Sequence, residues 1–265
     1  MDILEEIVAY KRIEVEQQKQ QLQPATLYRQ VEELISNGAS ATRSMKASLA
    51  ASQSGIIAEF KRKSPSKGWI KEEGRPDIIP EAYSQSGASA ISILTDEKYF
   101  GGKPDFVTTA RPMVKCPILR KDFIVDEYQL YHARAIGADA VLLIAADLSC
   151  DECKQLARKA HELELETLLE VHSESELDHV CDCIDMVGVN NRHLGTFHTD
   201  VQTSYSLAEL LPKDYLLVSE SGISSPATVR ELRQAGYRGF LIGETFMKCP
   251  DPGEALRQFV KEVER

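Results

Sequence analysis

The chain of 265 residues lacks an excess of positive charge. Its 31 lysine and arginine residues stand against 41 aspartate and glutamate residues, which gives a formal net charge of −10. Proteins that bind duplex nucleic acid usually present a basic face, so the composition argues against a nucleic-acid partner. An anionic ligand would have to be drawn to a local cluster of positive groups, against the average field of the chain.

Long apolar runs are also missing. No run approaches the roughly 20 residues that a helix needs to cross a bilayer, so we expect no membrane partner. The first residues, Met1–Glu6, are acidic, whereas a secretory signal begins with positive charge followed by an apolar stretch. We therefore expect the protein to be cytoplasmic.

Histidine does not complete a metal-binding pattern around the few cysteines. Two of the six cysteines form Cys150-x-x-Cys153, and two more form Cys181-x-Cys183. The second spacing is poor for zinc, and no histidine stands at a suitable distance from either pair. We expect reduced structural thiols and no metal.

The beginning of the chain is helical in pattern and carries no evident chemical motif. Residues 2–21 form a charged amphipathic segment, which Pro24 is expected to end. A second helix is predicted over residues 27–35, before the stop signal Asn37-Gly38. We expect residues 1–50 to form a helical N-terminal extension that packs on the main domain.

From Gly55 onward, short apolar runs alternate with longer amphipathic stretches. Strands that are buried on both faces have this pattern, because helices cover both faces of a parallel sheet. Doubly wound sheets use similar units, but eight runs at intervals of roughly 25 residues favour a closed (β/α)8 barrel, and thus a single domain over residues 1–265. The eight runs are Ile56–Ala58, Ala90–Leu94, Pro117–Leu119, Ala140–Ile144, Thr167–Leu169, Met186–Val189, Tyr215–Val218 and Phe240–Ile242.

Charged or amide side chains follow every one of these runs. Active sites of (β/α)8 barrels lie at the carboxyl ends of the strands, where such groups would converge. A solvated loop explains any single one of them equally well, but the joint pattern is harder to explain that way. The groups include Glu59, Lys61, Asp96, Lys121, Asp147, Glu170, Asn190, Arg192, Glu220 and Glu244.

Glycines stand after the seventh and eighth runs, where barrels commonly bind phosphate. Gly222 precedes Ser225-Pro226, which is typical of a helix start. Gly243-Glu244-Thr245 is expected to open a short extra helix whose amides could face an anion. Tight turns that need glycine are the alternative interpretation.

A basic cluster follows the first run. It consists of Lys61, Arg62, Lys63 and Lys67. Alternation along a strand places Glu59 and Lys61 on one face, with Arg62 on the other. A solvated loop and a second anion site, with Lys61 pointing inward, both remain open at this point.

Seven segments together resemble the indole-3-glycerol phosphate synthase family, and the resemblance covers essentially the whole chain. The first segment alone is highly specific. The segments are Ile57–Gly68, Leu94–Gly102, Leu119–Ile124, Leu168–His172, Gly188–Arg192, Ser219–Ile223 and Leu241–Glu244.

The resemblance implies a substrate with a carboxylate at one end and a phosphate at the other, 1-(2-carboxyphenylamino)-1-deoxyribulose 5-phosphate. It implies decarboxylating ring closure and dehydration to indole-3-glycerol phosphate, a step of tryptophan biosynthesis. By resemblance, Lys121 is the general acid and Glu170 is the acid or base of later steps. Lys61 steers the carboxylate and Glu59 pairs with a lysine, while the step at which each lysine acts stays open.

The remaining implied contacts surround this centre. Asn190, Glu220 and Ser221 would orient the sugar hydroxyls, and Arg192 would support or contact the substrate. The resemblance implies no metal or organic cofactor, and we expect a monomer. Phe100, Phe123, Leu142 and Leu194 are expected to form walls around the aromatic ring of the substrate. The alternative for each of them is a purely structural role in the core. Further substrate contacts are expected at Ser64, Gly222, Ile242, Gly243 and Glu244.

Two other functions are compatible with parts of the pattern. Phosphosugar isomerases such as the phosphoribosylanthranilate isomerases share the barrel and phosphate site, but they use a cysteine and an aspartate. The first strand here ends in Glu59 and Lys61 without a cysteine. A non-catalytic barrel that binds a phosphorylated ligand is the other alternative, and the presence of Lys61, Lys121 and Glu170 argues against it.

Overall fold

Eight parallel strands close into a barrel in a computed structural model that describes residues 3–38, 41–193, 195 and 197–265. The strands follow one another around the barrel in chain order, and the last pairs with the first. They are β1 Ile56–Phe60, β2 Ala90–Leu94, β3 Ile118–Lys121, β4 Ala140–Ile144, β5 Glu166–Val171, β6 Met186–Asn190, β7 Leu216–Glu220 and β8 Gly239–Ile242.

Each of the eight apolar runs coincides with a strand, which confirms the prediction of a (β/α)8 barrel. A 3₁₀-helix, Glu174–His179, replaces an α-helix between β5 and β6, and Ala145–Asp147 forms a second 3₁₀-turn. The α-helices of the described residues are α1 Ile3–Gln21, α2 Pro24–Ser36, α3 Met45–Ala51, α4 Ile79–Gln85, α5 Glu97–Phe100, α6 Pro104–Ala110, α7 Glu127–Ala135, α8 Cys150–Glu162, α9 Gln202–Ala208, α10 Pro226–Gln234, α11 Glu244–Met247 and α12 Pro252–Val263.

Buried apolar side chains form two layers. The larger lies between the barrel and its helices, and the smaller fills the barrel interior with the inward residues of the strands. Met45 and Leu49 of α3 are fully buried in that inner layer. Ser48 Oγ donates to the carbonyl of Ser89 at 2.6 Å, and the Lys46 amide donates to Glu166 at 2.8 Å. Since both partners lie where strands begin, α3 closes the amino end of the barrel.

The two helices predicted at the start of the chain are present, with one correction. Pro24 does not merely end α1 but opens α2, because a proline at the first helical position loses no hydrogen bond. Helix α2 packs on α7, where the rings of Tyr28 and Tyr131 stack with centroids 3.8 Å apart. Helix α3 was not foreseen as a separate element, because its seven residues are too few for a clear period.

The basic loop after β1 folds back as a hairpin. Lys63–Ser64 pairs antiparallel with Gly68–Trp69, and Gly68 has a φ of +68° that favours glycine. The hairpin brings Ser64, Ser66 and Lys67 to the carboxyl end of the barrel. Among the described residues, no helix is long and apolar enough to cross a membrane.

Candidate active site

A cavity of about 630 Å³ lies at the carboxyl end of the barrel, and inward side chains of the strand ends form its floor. Successive residues of a strand point to opposite faces, so only alternate positions reach it. Its charged and amide groups at the strand ends are Glu59, Lys61, Lys121, Glu170, Asn190 and Glu220.

Lys121 is the central cation of this cavity. Its Nζ lies 3.1 Å from Oε2 of Glu170 and 3.8 Å from Oε2 of Glu220. Burial alone would lower the pKa of Lys121, but the charges of Glu170, Glu220 and Glu59 outweigh it and raise the pKa above its ordinary value. The side chain is therefore an ammonium at neutral pH, and it can donate a proton.

Glu170 is held as a carboxylate. Its Oε2 faces Lys121, and its Oε1 accepts from Asn190 Nδ2 at 3.1 Å and lies 3.2 Å from His172 Nε2. Burial would raise the pKa of Glu170, but the charges of Lys121 and His172 and the hydrogen bond from Asn190 bring it well below its usual range. Glu170 can therefore accept a proton at neutral pH.

Glu220 has the opposite environment, although it lies in the same cavity. Burial, reinforced by the negative charge of Glu170, raises the pKa of Glu220 above its usual range, and Lys121 only partly offsets this. Its Oε1 has no hydrogen-bond partner among the described residues. Gly188 leaves the space that this carboxyl occupies, because a Cβ there would collide with Oε1. Two neighbouring carboxyls thus differ in proton affinity, as an acid and a base should.

His172 was not singled out by its sequence, although it lies directly behind Glu170. Its Nδ1 is 3.3 Å from Oε2 of Glu176, so the imidazole lies between two carboxylates. Burial would lower the pKa of His172, but Glu170 and Glu176 raise it to about 10. The ring is therefore an imidazolium that supports the negative charge of Glu170.

Glu59 and Lys61 form a direct ion pair beside this centre. Lys61 and Lys67 of the basic cluster line the cavity, which favours a second anion site over a solvated loop. Arg62 instead stacks over Trp69, with its guanidinium carbon 5.3 Å from the ring centroid. Lys63 donates to the carbonyl of Lys98 at 3.1 Å.

Tight backbone turns mark one side of the cavity, after β7 and β8. Ser221 and Gly222 have φ values of +66° and +75°, a left-handed conformation that is uncommon for serine. Gly243 has an ordinary φ, but a Cβ there would collide with the Glu59 side chain. The predicted short helix is present as α11, and its first amides precede any intrahelical partner.

Ser64 faces the same cavity with a buried hydroxyl that has no hydrogen-bond partner among the described residues. Lys67 Nζ lies 3.9 Å from Glu244 Oε1 across the opening. Hydroxyl, amide and ammonium donors are the groups that bind phosphate in proteins. This side of the cavity therefore suits an anionic group.

Aromatic and aliphatic side chains form the opposite side. The rings of Phe100 and Phe123 lie 6.0 Å apart, and Leu142 belongs to the barrel interior below them. Ile3, Leu4 and Ile7 of α1 also line the cavity. Their contribution was missed because α1 has no chemical motif, although its apolar face could have indicated a buried surface.

Arg192 joins two loops over the opening. Its Nη1 donates to Ser66 Oγ at 3.0 Å, and its Nε donates to Thr199 Oγ1 at 3.4 Å. The loop after β1 is thereby connected to the loop after β6. Leu194, the fourth expected aromatic wall, lies outside the described residues.

The other sixteen residues expected to bind or act on the substrate all line this one cavity. They are Glu59, Lys61, Ser64, Phe100, Lys121, Phe123, Leu142, Glu170, Asn190, Arg192, Glu220, Ser221, Gly222, Ile242, Gly243 and Glu244. Their roles in catalysis stay predictions, as does the expectation that no metal is needed. Among the described residues, Cys181, Asp182 and Cys183 alone offer three potential ligand atoms close together, with the two sulfurs 3.4 Å apart.

The fold and this cavity define a (β/α)8-barrel enzyme with an acid–base centre at the carboxyl ends of its strands. The family model described as indole-3-glycerol phosphate synthase matches residues 4–259. The chain belongs to this family. An indole-3-glycerol phosphate synthase of Bacteroides thetaiotaomicron is 61% identical over 263 residues, which are 99% of each chain. One from a Polaromonas species is 42% identical over 97% of each chain.

Similar solved structures extend the likeness in fold only. The 3-hexulose-6-phosphate synthase of Salmonella typhimurium superimposes with a TM-score of 0.62 at 13% identity, over 79% of this chain and 98% of its own. Thiamine phosphate pyrophosphorylase of Pyrococcus furiosus gives a TM-score of 0.59 at 18% identity, over 80% and 96%. At such low identity the barrel is shared, and function has to be argued from the site.

Proposed function

We propose that this chain is an indole-3-glycerol phosphate synthase. It converts 1-(2-carboxyphenylamino)-1-deoxyribulose 5-phosphate to indole-3-glycerol phosphate, CO2 and water in tryptophan biosynthesis. One observation supports this most strongly: the Lys121 ammonium and the Glu170 carboxylate lie 3.1 Å apart in a cavity with an apolar side and an anion-binding side. Such a cavity suits a molecule with an aromatic ring at one end and a phosphate at the other.

Lys121 is the general acid of ring closure in this proposal. Its proton goes to the ketone oxygen while the ring carbon that bears the carboxylate attacks the carbonyl carbon. The arylamine nitrogen shares the positive charge that develops on the ring. Loss of CO2 then leaves its electron pair in the ring. An ammonium suits this role because it can release a proton, which a guanidinium hardly does.

Glu170 and Lys61 act around that step. Glu170, held ionised by Lys121 and His172, accepts a proton from the sugar carbon that is bound to nitrogen, while Lys61 gives a proton to the hydroxyl, which leaves as water. Lys61, oriented by Glu59, attracts the substrate carboxylate and holds the ring carbon near the ketone. Holding the two reacting carbons close together can lower the activation free energy of ring closure by on the order of 7 kcal/mol in favourable cases.

Three expectations about the whole protein belong to the same proposal. The helical extension and the barrel work as a single domain over residues 1–265, because α3 fills the barrel and α1 lines the cavity. The protein acts as a monomer, since every proposed catalytic group comes from one chain. It works in the cytoplasm on a small phosphorylated metabolite.

A direct assay tests the proposed function. Purified protein is incubated with the carboxyphenylamino substrate, and indole fluorescence and released CO2 are followed together. We expect both to rise in equal amounts. An isomerase or a non-catalytic binding protein would give neither signal, even if it bound the substrate in competition with phosphate.

Lys121→Ala tests the proposed acid. We expect turnover to fall by at least about a thousandfold, because the proposed proton donor is lost, while the circular dichroism spectrum stays unchanged. Lys115→Ala removes an exposed lysine of the loop before β3 and serves as the matched control. Turnover of Lys121→Ala equal to that of the control would remove Lys121 from the mechanism.

A further inference from the structure

Lys11 of α1 is a buried cation, with only 1% of its side chain exposed. Its Nζ lies 2.9 Å from Asp96 Oδ2, 2.9 Å from Asp122 Oδ1 and 3.0 Å from Glu14 Oε2. The two aspartates are equally buried and follow β2 and β3 of the barrel. A lysine of the helical extension is therefore enclosed by carboxylates of two loops at the carboxyl end of the barrel.

Asp96 connects this ion cluster to one aromatic wall of the cavity. Its Oδ1 accepts the amide of Tyr99 at 2.8 Å and caps α5, the four-residue helix that ends with Phe100. Its Oδ2 is left for Lys11, because no hydrogen bond from the barrel reaches that oxygen among the described residues. The position of Phe100 thus depends on a carboxylate that Lys11 faces.

Asp122 connects the same cluster to the other wall. It stands between Lys121 and Phe123, and its Oδ1 accepts the Phe123 amide at 2.9 Å while facing Lys11. Its Oδ2 accepts from Thr95 Oγ1 at 2.6 Å and from Arg120 Nη2 at 2.9 Å. Two oxygens of one carboxylate are therefore divided between the barrel wall and α1.

The two buried aspartates are matched by two cations only with Lys11 present. Burial would lower the pKa of Lys11, but Asp122, Asp96 and Glu14 outweigh it and raise the pKa above its ordinary value. The ammonium is therefore retained, and its loss would leave two buried carboxylates with Arg120 as their remaining cation at this position. Repulsion would then move the two loops apart.

We propose that Lys11 is a positioning residue that fixes Phe100 and Phe123 against each other and so shapes the aromatic side of the substrate cavity. That side also includes Ile3, Leu4 and Ile7 of the same helix. The ion cluster therefore fixes the position of α1 relative to the two aromatic rings. The inference rests on the proposed function, because it assigns this side of the cavity to the aminobenzoate ring of the substrate.

A second lysine of α1 offers a matched control. Lys19 Nζ lies 2.7 Å from Asp126 and 2.9 Å from Glu16, so it also ties α1 to the barrel. Asp126 caps α7 and is not part of the cavity wall. Lys19→Met therefore removes an ion pair of the same helix without touching the aromatic walls.

The test compares the kinetics of wild type, Lys11→Met and Lys19→Met with the carboxyphenylamino substrate, together with competitive inhibition by inorganic phosphate. For Lys11→Met we expect KM to rise about tenfold, kcat to change by less than about threefold, and the phosphate inhibition constant to stay within about twofold. Lys19→Met should match wild type in all three. A purely structural role would lower the active fraction and leave KM unchanged.

Asp96→Asn keeps the inference testable if Lys11→Met does not fold. The amide oxygen can still cap α5, but one negative charge that faces Lys11 is lost, and we expect KM to rise about threefold. A wild-type KM in each variant that folds would overturn the inference, as would an equal rise of KM and of the phosphate inhibition constant. A wild type without turnover would overturn the proposed function and this inference together, whereas an active wild type isolates the effect of Lys11.

Discussion

His172 helps Lys121 to keep Glu170 ionised, because its ring lies between Glu170 and Glu176 and carries a proton at neutral pH. His172→Gln removes that positive charge, so the pKa of Glu170 should rise. The carboxylate form would then be lost at a higher pH as the solution is acidified. We expect the acidic limb of the kcat/KM profile to move up by about one pH unit.

Controls for this shift lie close by. His179 also contacts the 3₁₀-helix, through the carbonyl of Glu176, but its ring is not paired with Glu170. His179→Gln should therefore keep the wild-type pH profile. Glu170→Gln removes the carboxylate itself, so it should slow turnover strongly without a comparable loss of substrate binding. Superimposable profiles of wild type and His172→Gln would show that the imidazolium does not influence the base.

Residues differ in how well the surrounding sequence predicts their position in the fold. Lys121, Glu170 and Glu220 could be placed in one cavity from the sequence, because each follows an apolar run at an inward position. Lys11 could not, since its partners Asp96 and Asp122 come from other elements. Its only local signal is a charged residue in line with Leu4, Ile7 and Val15 on the buried face of α1.

At the scale of elements, β1 and β8 approach each other so closely that Gly243 must remain without a side chain. A Cβ at this position would collide with Glu59, the partner of Lys61. Because φ of Gly243 is ordinary, alanine would act through this collision and not through backbone strain. We expect Gly243→Ala to raise KM about tenfold in steady-state kinetics, with the fold retained.

Gly195→Ala is the matched control for this prediction. Among the described residues, its added Cβ would meet the His193 ring alone, at an ordinary contact distance of 3.4 Å. We therefore expect wild-type kinetics from this variant. A wild-type KM for Gly243→Ala would mean that Glu59 can shift without disturbing the substrate site.

Elements with a clear hydrophobic pattern could be predicted, whereas those made by tertiary contacts could not. The eight strands are continuous apolar runs, and burial on both faces leaves few other structures for them. The 3₁₀-helix Glu174–His179 and the hairpin after β1 lack such a pattern. Arg192 holds the hairpin through Ser66, and His179 ties the 3₁₀-helix to the carbonyl of Leu148.

The whole molecule divides stability from activity between the two ends of its barrel. Helix α3 closes the amino end with Met45 and Leu49, while the substrate cavity lies at the carboxyl end. Barrels commonly show this division, because the loops that follow the strands carry the chemistry. The sequence of the extension predicted α1 and α2, but it predicted neither α3 nor its position under the barrel.

Leu49→Ala tests that division. The side chain is fully buried, so its truncation should lower the free energy of unfolding by about 2–5 kcal/mol, measured by urea denaturation. If the extension and the barrel form one domain, the loss should appear in a single transition. KM and kcat should stay within about twofold of wild type below the transition, since Leu49 lies at the far end from Lys121.

Leu210→Ala, at a half-exposed leucine, is the matched control and should change stability by less than about 0.5 kcal/mol. A separate early transition for α3, or a large change of KM, would show instead that the extension folds apart from the barrel or that the two ends are coupled.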